Sequence, residues 1–465
     1  MMLPVPADLK RRLRDYGQEH VLAAWDRLDD GARGNLLAQL QAVDLEQLRR
    51  LYANRDREIG VPTAERIAPV AVIGIDSDPR EPRQLGEQSL RRGEVAAILV
   101  AGGQGTRLGF DNPKGMFPIG PVSNKTLFQI HAEKVLATSR RYGTPVPFLV
   151  MTSPATDAET KEFFTQHGHF GVPASDVHFF CQGTMPALDL ATGKLLMEAP
   201  GRLFTSPNGH GGTLTALSDS GLLDRMRDRG IKHFFYFQVD NPLVKVADPI
   251  FFGHHLKANA EMSSKIVAKD TPTEKVGNMV LIDGRCSIIE YSDLPKELAE
   301  QRDDHGKLRI WAGSPAIHYF SVDFLERATR GHARIPFHVA RKKVPHVDEN
   351  GNRIEPKKEN ALKFEMFIFD VLPLADRWAV VETSRREEFV PLKNATGADS
   401  PPVVKQAISD LAGEWLARAG VALPRRPDGS SAVPLEISPL YALDSAELER
   451  KVDRNLQIAG PLCLH

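Results

Sequence analysis

The stretch LVAGGQGTRLGFDNPKGMFPIG, residues 99–120, decides how this chain reads. An apolar run passes into a glycine-rich loop, with Arg107 inside the loop and Lys114 just beyond it. Gly102, Gly103, Gly105 and Gly109 let the backbone turn tightly and approach a ligand closely. Successive N–H groups in such a turn cradle an anion. Arg107 offers a rigid fork to phosphate oxygens and Lys114 a movable point charge. Pro113 and Pro118 stiffen the exit. The pattern predicts a nucleotide phosphate site at the end of a parallel strand, rather than a turn carrying two solvated cations. It is neither a Walker loop nor a dinucleotide fingerprint, because GxxxxGK[ST] is absent and the GxGxxG spacing is not met at this strand.

Outward from the loop, strands and helices alternate. VAAILVA (95–101), PVPFLVMTS (145–153), VHFFCQG (177–183) and IKHFFYFQVDN (231–241) read as strands. KTLFQIHAEKVLATSRRYG (125–143), ATDAETKEFFTQHG (155–168) and GGTLTALSDSGLLDRMRDRG (211–230) read as helical stretches between them. That order predicts an α/β fold with a doubly wound, mostly parallel sheet and ligands at the carboxyl ends of the strands. Residues 263–269, 277–294 and 316–325 extend the core as strands, with Gly284 in a hairpin turn, and 377–395 add a strand and a basic loop. Residues 7 to 58 read as two or three amphipathic helices forming a collar, and 60 to 91 as an extended connection. Beyond residue 405 come one helix and Pro-rich connections. The expected division is 1–90, an N-terminal helical region and connection; 91–405, the catalytic domain; and 406–465, a small C-terminal domain.

The 465 residues suffice for one large α/β core with appended parts. A net charge of -1 gives no global electrostatic footprint for nucleic acid or membrane. Three scattered cysteines make neither a disulfide framework nor a thiolate zinc site, which points to a reducing compartment. No apolar run is long enough to span a bilayer, and the first residues lack the apolar middle of a secretory signal. A cytoplasmic monomer is expected.

Asp240 ends the strand FQVDN, where a carboxylate either holds Mg²⁺ or caps the turn before Pro242. The phosphate loop on the same sheet favours the metal. SPNGHGG (206–212) is a second glycine cluster opening onto a helix, suited to a nucleoside or its phosphates. His210 within it either touches ligand or packs in the loop. Gln182 at a strand end has an amide able to pair with a base edge, although by itself a surface turn explains it better. Lys363 and Lys393 lie near apolar segments; they meet a second set of phosphates or are ordinary exposed lysines. His254 and His255, adjacent on a helix, point different ways and make no metal pair.

The opening signature, with KTLFQ after it, closely resembles that of UDP-N-acetylhexosamine pyrophosphorylases, within the UTP-dependent sugar-1-phosphate uridylyltransferases. The resemblance continues through FFCQGTMPALD, SPNGHGGTLTAL, FFYFQVDNPLVKVADP, EKVGNMVLIDGRCSIIEYSDL, ALKFEMFIFD, REEFVPLKNA and EISPLYALD, covering roughly 90–450. It implies a Rossmann-like nucleotidyltransferase core with a mixed sheet, N-terminal helices and a small C-terminal β-rich domain. It implies Mg²⁺ as cofactor, with UTP and a sugar 1-phosphate as substrates and a UDP-sugar and pyrophosphate as products. By motif, Gly102 and Gly103 hold the nucleotide, and Gln182 and Gly209 read uracil and its surroundings. Arg107 and Lys114 stabilise the triphosphate, and Asp240 helps hold the metal. Gly277, Glu290 and the loop 316–319 line the sugar pocket, while Lys363 contacts the phosphate at the reacting centre with Lys393 nearby. Two departures bear on the sugar. Acetylhexosamine members usually carry Asn where His210 stands, and GHG is familiar from UDP-glucose and broad-range members. An asparagine is also usual in the sugar loop where Ile317 stands. N-acetylglucosamine 1-phosphate is the expected sugar, with glucose 1-phosphate or a broader range as the alternative. A non-catalytic sugar-nucleotide-binding module is the alternative of another class.

Overall fold

Val95–Val100, Phe148–Thr152, Val177–Cys181 and His233–Gln238 are strands, all mutually parallel where they pair. Phe234, Phe235, Tyr236 and Phe237 are all buried in succession. Burial on both faces is the mark of a parallel strand covered by helices on either side. The computed structural model describes residues 3–56, 62–330 and 335–465, so the ends of the expected N-terminal helical stretch and of the connection after it fall partly outside the described residues.

Beyond His233–Gln238 the sheet turns antiparallel. His318–Ser321 pairs with that strand and with Met262–Ala268, which continues through Ala312–Ser314 to Gly277–Ile282. Trp378–Glu382 runs parallel to Met262–Ala268, and Ile67–Pro69 borders Gly277–Ile282. The result is one mixed sheet of eleven strands among the described residues. Gly277–Ile282 and Arg285–Ile289 form the expected hairpin. Asp283 (φ 49°) and Gly284 (φ 79°) make its two-residue turn, the left-handed pair that matches the strand twist.

The passage 60–91, expected to be extended, contains the helix Arg80–Arg91. Pro82 sits in its first turn, where a missing N–H costs nothing. Gly86 marks its contact with the helix Pro249–Lys257: a Cβ there would lie 2.0 Å from the Pro249 carbonyl oxygen. A Cβ on Gly253 would lie 1.7 Å from the Pro82 carbonyl oxygen. The two helices therefore cross backbone against backbone, and the small, polar composition that reads as a linker is what permits it.

The chain groups into two compact units. One comprises Met1–Val61, Gln182–Gly212 and Ile335–Asp370. In it the helices Ala7–Asp15, Asp30–Ala42 and Leu45–Ala53 pack Leu9, Leu13, Leu36, Leu40 and Leu48 with Leu188, Leu203, Leu362 and Phe364. Asp29 and Asp44 cap the second and third helices by accepting from Ala32 N and Gln47 N. The second unit comprises Pro62–Cys181, Thr213–Arg334 and Val371–His465 and contains the main sheet. Its last part holds the helices Pro401–Arg418 and Ser445–Lys451 and a parallel strand pair, Leu435–Ile437 with Leu462–Leu464. No helix of the described residues is long and apolar enough to cross a membrane.

Candidate active site

The glycine loop leaves the carboxyl end of Val95–Val100 and is fastened by its own backbone. Gly105 N donates to Asn112 O at 3.0 Å and Lys114 N to Gly103 O at 3.0 Å. Ser153 Oγ donates to Gly102 O at 2.8 Å. Glycine is required sterically at 105 and 115. A Cβ on Gly105 would come 2.8 Å from Phe110 O, and one on Gly115 would enter the Phe128 ring at 2.2 Å. At Gly103 a Cβ would meet no protein atom within 4 Å, so this chain's own packing does not demand glycine there. Arg107 stands exposed on the short 3₁₀ turn Thr106–Leu108.

Lys114 and Asp240 come together. The Lys114 ammonium lies 3.7 Å from Asp240 Oδ2 and donates to Leu392 O at 3.1 Å; both side chains are half-buried. The Asp240 position is over-determined. Leu392 N donates to its carbonyl at 2.8 Å. The next residue, Asn241, donates to Glu388 O at 2.7 Å and accepts from Val390 N at 3.2 Å. Glu388 is in turn bound by the buried Lys265 at 2.6 Å, and Lys265 also reaches Asp248 at 2.7 Å. Sequence reading missed Asn241, Glu388 and Lys265. Their signal, an isolated buried charge on a strand and another at the end of the short helix Arg385–Glu388, has no local spacing to reveal it. Lys393, next to Leu392, lines a cavity of about 620 Å³ whose charged members include Arg385, Arg386, Asp270 and Asp399.

Gly277 opens its strand opposite Ser314, and a Cβ there would lie 2.6 Å from Ile288 Cγ2. Glu290 follows the partner strand and is half-buried. Beside them is a polar pair that the sequence did not single out: buried Lys269 donates to Asn278 Oδ1 at 2.6 Å, and burial lowers its pKa. Ile317, expected in the sugar loop, is 1% exposed and packs in the main core. The parts of that turn left partly open are Ser314 and Ala316.

In the other unit, the second glycine cluster is built against Phe364–Phe369. Met366 N donates to Asn208 O at 2.7 Å, and Gly211 N to Met366 O at 2.8 Å. Gly209 has φ 85°, and a Cβ on it would come 2.4 Å from Met366 O. The His210 ring stacks on Phe367 with centroids 5.4 Å apart, and its Nδ1 accepts from Ile368 N at 3.2 Å. Burial pushes its pKa down to about 4. A neutral ring that accepts at Nδ1 carries its proton on Nε2. Buried Gln182 precedes the strand Thr184–Pro186, which pairs with Thr205–Pro207. Lys363 lies on the strand Ala361–Glu365 opposite Ala340, with its ammonium 5.0 Å from the Phe204 ring centroid. Burial lowers its pKa.

Among the described residues no group of three or more His, Cys, Asp and Glu side chains is placed to hold a metal by itself. Mg²⁺ is commonly held by one or two carboxylates together with substrate phosphates. The Asp240 carboxylate, beside Lys114 of the glycine loop, fits that mode.

A glycine-rich loop and a carboxylate stand at the ends of parallel strands in a mixed sheet, the architecture of an α/β nucleotidyltransferase. The chain belongs to the UTP–glucose-1-phosphate uridylyltransferase family, whose pattern matches residues 47–400. It is 38% identical to the human UDP-N-acetylhexosamine pyrophosphorylase-like protein 1, over 95% of this chain and 94% of that one. It is 36% identical to the UDP-N-acetylglucosamine pyrophosphorylase of Saccharomyces cerevisiae, over 89% and 91%. The crystal structure of the uridine diphosphate N-acetylglucosamine pyrophosphorylase of Trypanosoma brucei superposes with a TM-score of 0.81 at 27% identity, covering 96% of this chain and 95% of that one. The protein is thus an enzyme of UDP-sugar formation, joining UTP and a sugar 1-phosphate reversibly to a UDP-sugar and pyrophosphate, in a class that requires a divalent cation.

Proposed function

We propose that the sugar is N-acetylglucosamine 1-phosphate and the product UDP-N-acetylglucosamine. The observation that carries this reading is the near-full-length likeness to relatives that bear that activity in their names. A phosphate oxygen of the sugar 1-phosphate attacks the α-phosphorus of UTP, and pyrophosphate leaves in line. The nucleophile is already ionised, so no enzyme base is needed. Rate comes from placement and from charge stabilisation. We assign charge stabilisation to Arg107, Lys114 and Lys363, with Lys393 on a further phosphate. Gly102, Gly103 and Gly209 bring backbone to the nucleotide, and Gln182 reads uracil. Gly277 and Glu290 take the sugar. Asp240 would hold Mg²⁺, which when bound supplies charge neutralisation at the reacting phosphates.

A second reading, glucose 1-phosphate or a broader range, is favoured by His210. Where acetylhexosamine members usually present an asparagine amide, this chain presents a neutral imidazole fixed as an Nε2–H donor. The deciding experiment compares kcat/KM for N-acetylglucosamine, N-acetylgalactosamine and glucose 1-phosphates with UTP. N-acetylglucosamine 1-phosphate is expected to lead. A preference for glucose 1-phosphate of about tenfold, near 1.4 kcal/mol in transition-state binding, replaces the first reading with the second.

A further inference from the structure

We propose that a cavity of about 210 Å³, walled by the helix Leu127–Tyr142, the segment following Asp240 and the helix Pro401–Arg418, is a binding site for a small apolar carboxylate. Its walls are mostly hydrocarbon and aromatic, from Ile130, Tyr142, Val244, Ile250, Leu411 and Trp415. A closed apolar cavity of about 150 Å³ holds benzene. The space here therefore admits a ring or short chain with a carboxyl group attached.

The charges at the cavity select the sign of the ligand. Three of the four carboxylates that line it are ion-paired, and the fourth is held by backbone N–H groups. Asp248 meets Lys265 at 2.7 Å, Glu387 meets Lys245 at 2.7 Å, and Asp444 meets Arg141 at 2.6 Å. Glu436 accepts from Val122 N at 3.0 Å and Ser123 N at 2.9 Å. Two cations of the lining form no ion pair among the described residues. Lys134 donates to the carbonyls of Pro242 and Val244, the latter at 2.7 Å, and Arg83 stands exposed at the rim. Among the described residues neither forms an ion pair with a carboxylate. An ammonium whose hydrogen-bond partners are neutral carbonyls, in an apolar wall, has no carboxylate in direct contact. A carboxylate head supplies that contact through a charge-assisted hydrogen bond while the ligand's body displaces water from the wall. A divalent cation is disfavoured because the four carboxylates are already engaged by donors, and inorganic phosphate by the apolar wall. Pro242 and Val244 lie two and four residues beyond Asp240, so the ligand is placed on the backbone that continues from the candidate metal carboxylate.

The titration of Lys134 agrees with this geometry. Burial, partly offset by Glu388 and reinforced by Lys245, pushes the ammonium down to about 7. His131, three residues earlier, is kept neutral, pushed down to about 3 by its own burial. A bound carboxylate requires the protonated lysine. Affinity is then level below pH 7 and falls about tenfold per pH unit above it.

Calorimetric titration of the full chain with benzoate, octanoate, benzyl alcohol and inorganic phosphate tests the site. Benzoate or octanoate is expected to bind one to one with Kd below about 1 mM; which of the two binds tighter separates an aromatic from an aliphatic acid. Benzyl alcohol and phosphate are expected to bind at least about tenfold more weakly, as is benzoate to Lys134→Met. Ala412→Phe, which fills the cavity, should abolish binding, and it decides the matter with the pH dependence if Lys134→Met fails to fold. No heat from either acid at millimolar concentration overturns the proposal. So does equal binding of benzyl alcohol, undiminished affinity in a folded Lys134→Met or Ala412→Phe, or affinity level from pH 6.5 to 8.5.

Discussion

Lys114 carries two contacts of different kinds, a hydrogen bond to Leu392 O and a longer approach to Asp240. Neither anchors a core, so its removal should cost turnover more than stability. Lys114→Ala is expected to lower kcat about 10²-fold, roughly 3 kcal/mol, with thermal unfolding close to wild type. A variant that unfolds early instead would make Lys114 a structural residue. Gly209 is the opposite case. With φ 85° and Met366 O 2.4 Å from a Cβ position, Gly209→Ala should destabilise by roughly 2 kcal/mol or more, read by denaturant unfolding. Residue types at Lys114, Asp240 and Gly209 were legible in the sequence because each belongs to a motif with short local spacing. Ile317 illustrates what was not legible. A residue between a turn and a strand faces either the site or the core, and only the folded packing puts it in the core cluster that includes Phe235 and Tyr319. The clamp of Asn241, Glu388 and Lys265 was hidden for another reason: Glu388 lies more than a hundred residues from both of its partners in the chain.

At the level of elements, the parallel strands were readable because burial on both faces leaves unbroken apolar runs. The hairpin at Asp283–Gly284 was readable because a left-handed pair demands such residues. The helix Arg80–Arg91 was not, since Pro82, Gly86 and many polar residues argue against helix locally. Its packing on Pro249–Lys257 overrides that propensity, which makes the crossing testable. Gly253→Ala puts a methyl 1.7 Å from Pro82 O, and the two backbones must separate to admit it. Destabilisation of roughly 3 kcal/mol is expected in urea unfolding. A neutral effect would mean that the helices do not approach this closely.

Across the whole molecule, several histidines are buried in neutral form. Burial pushes His131 down to about 3 and His210 and His233 down to about 4, from 6.5 in the unfolded chain. A group whose folded pKa is depressed takes up its proton first in the unfolded state as pH falls. The histidine contribution is therefore complete above pH 6.5 and declines on acidification toward pH 4, by roughly 1.4 kcal/mol per pH unit for each histidine that stays neutral. Carboxylates held low by their cations, such as Glu94 and Glu447 at about 2, add their loss only below about pH 4.5. Denaturant unfolding at pH 7.5, 6.5 and 5.5 should show the decline beginning before any carboxylate titrates; a flat profile over that range would contradict neutral burial. The central claim, uridylyl transfer assisted by charge at the glycine loop, is tested most directly by pyrophosphate release from UTP and N-acetylglucosamine 1-phosphate, comparing wild type with Lys114→Ala. The account predicts release that requires both substrates and a divalent cation, matches UDP-sugar formed, and falls about 10²-fold in the folded variant. Wild-type rates in Lys114→Ala, or no pyrophosphate from wild type with any of the three sugar phosphates, would contradict it.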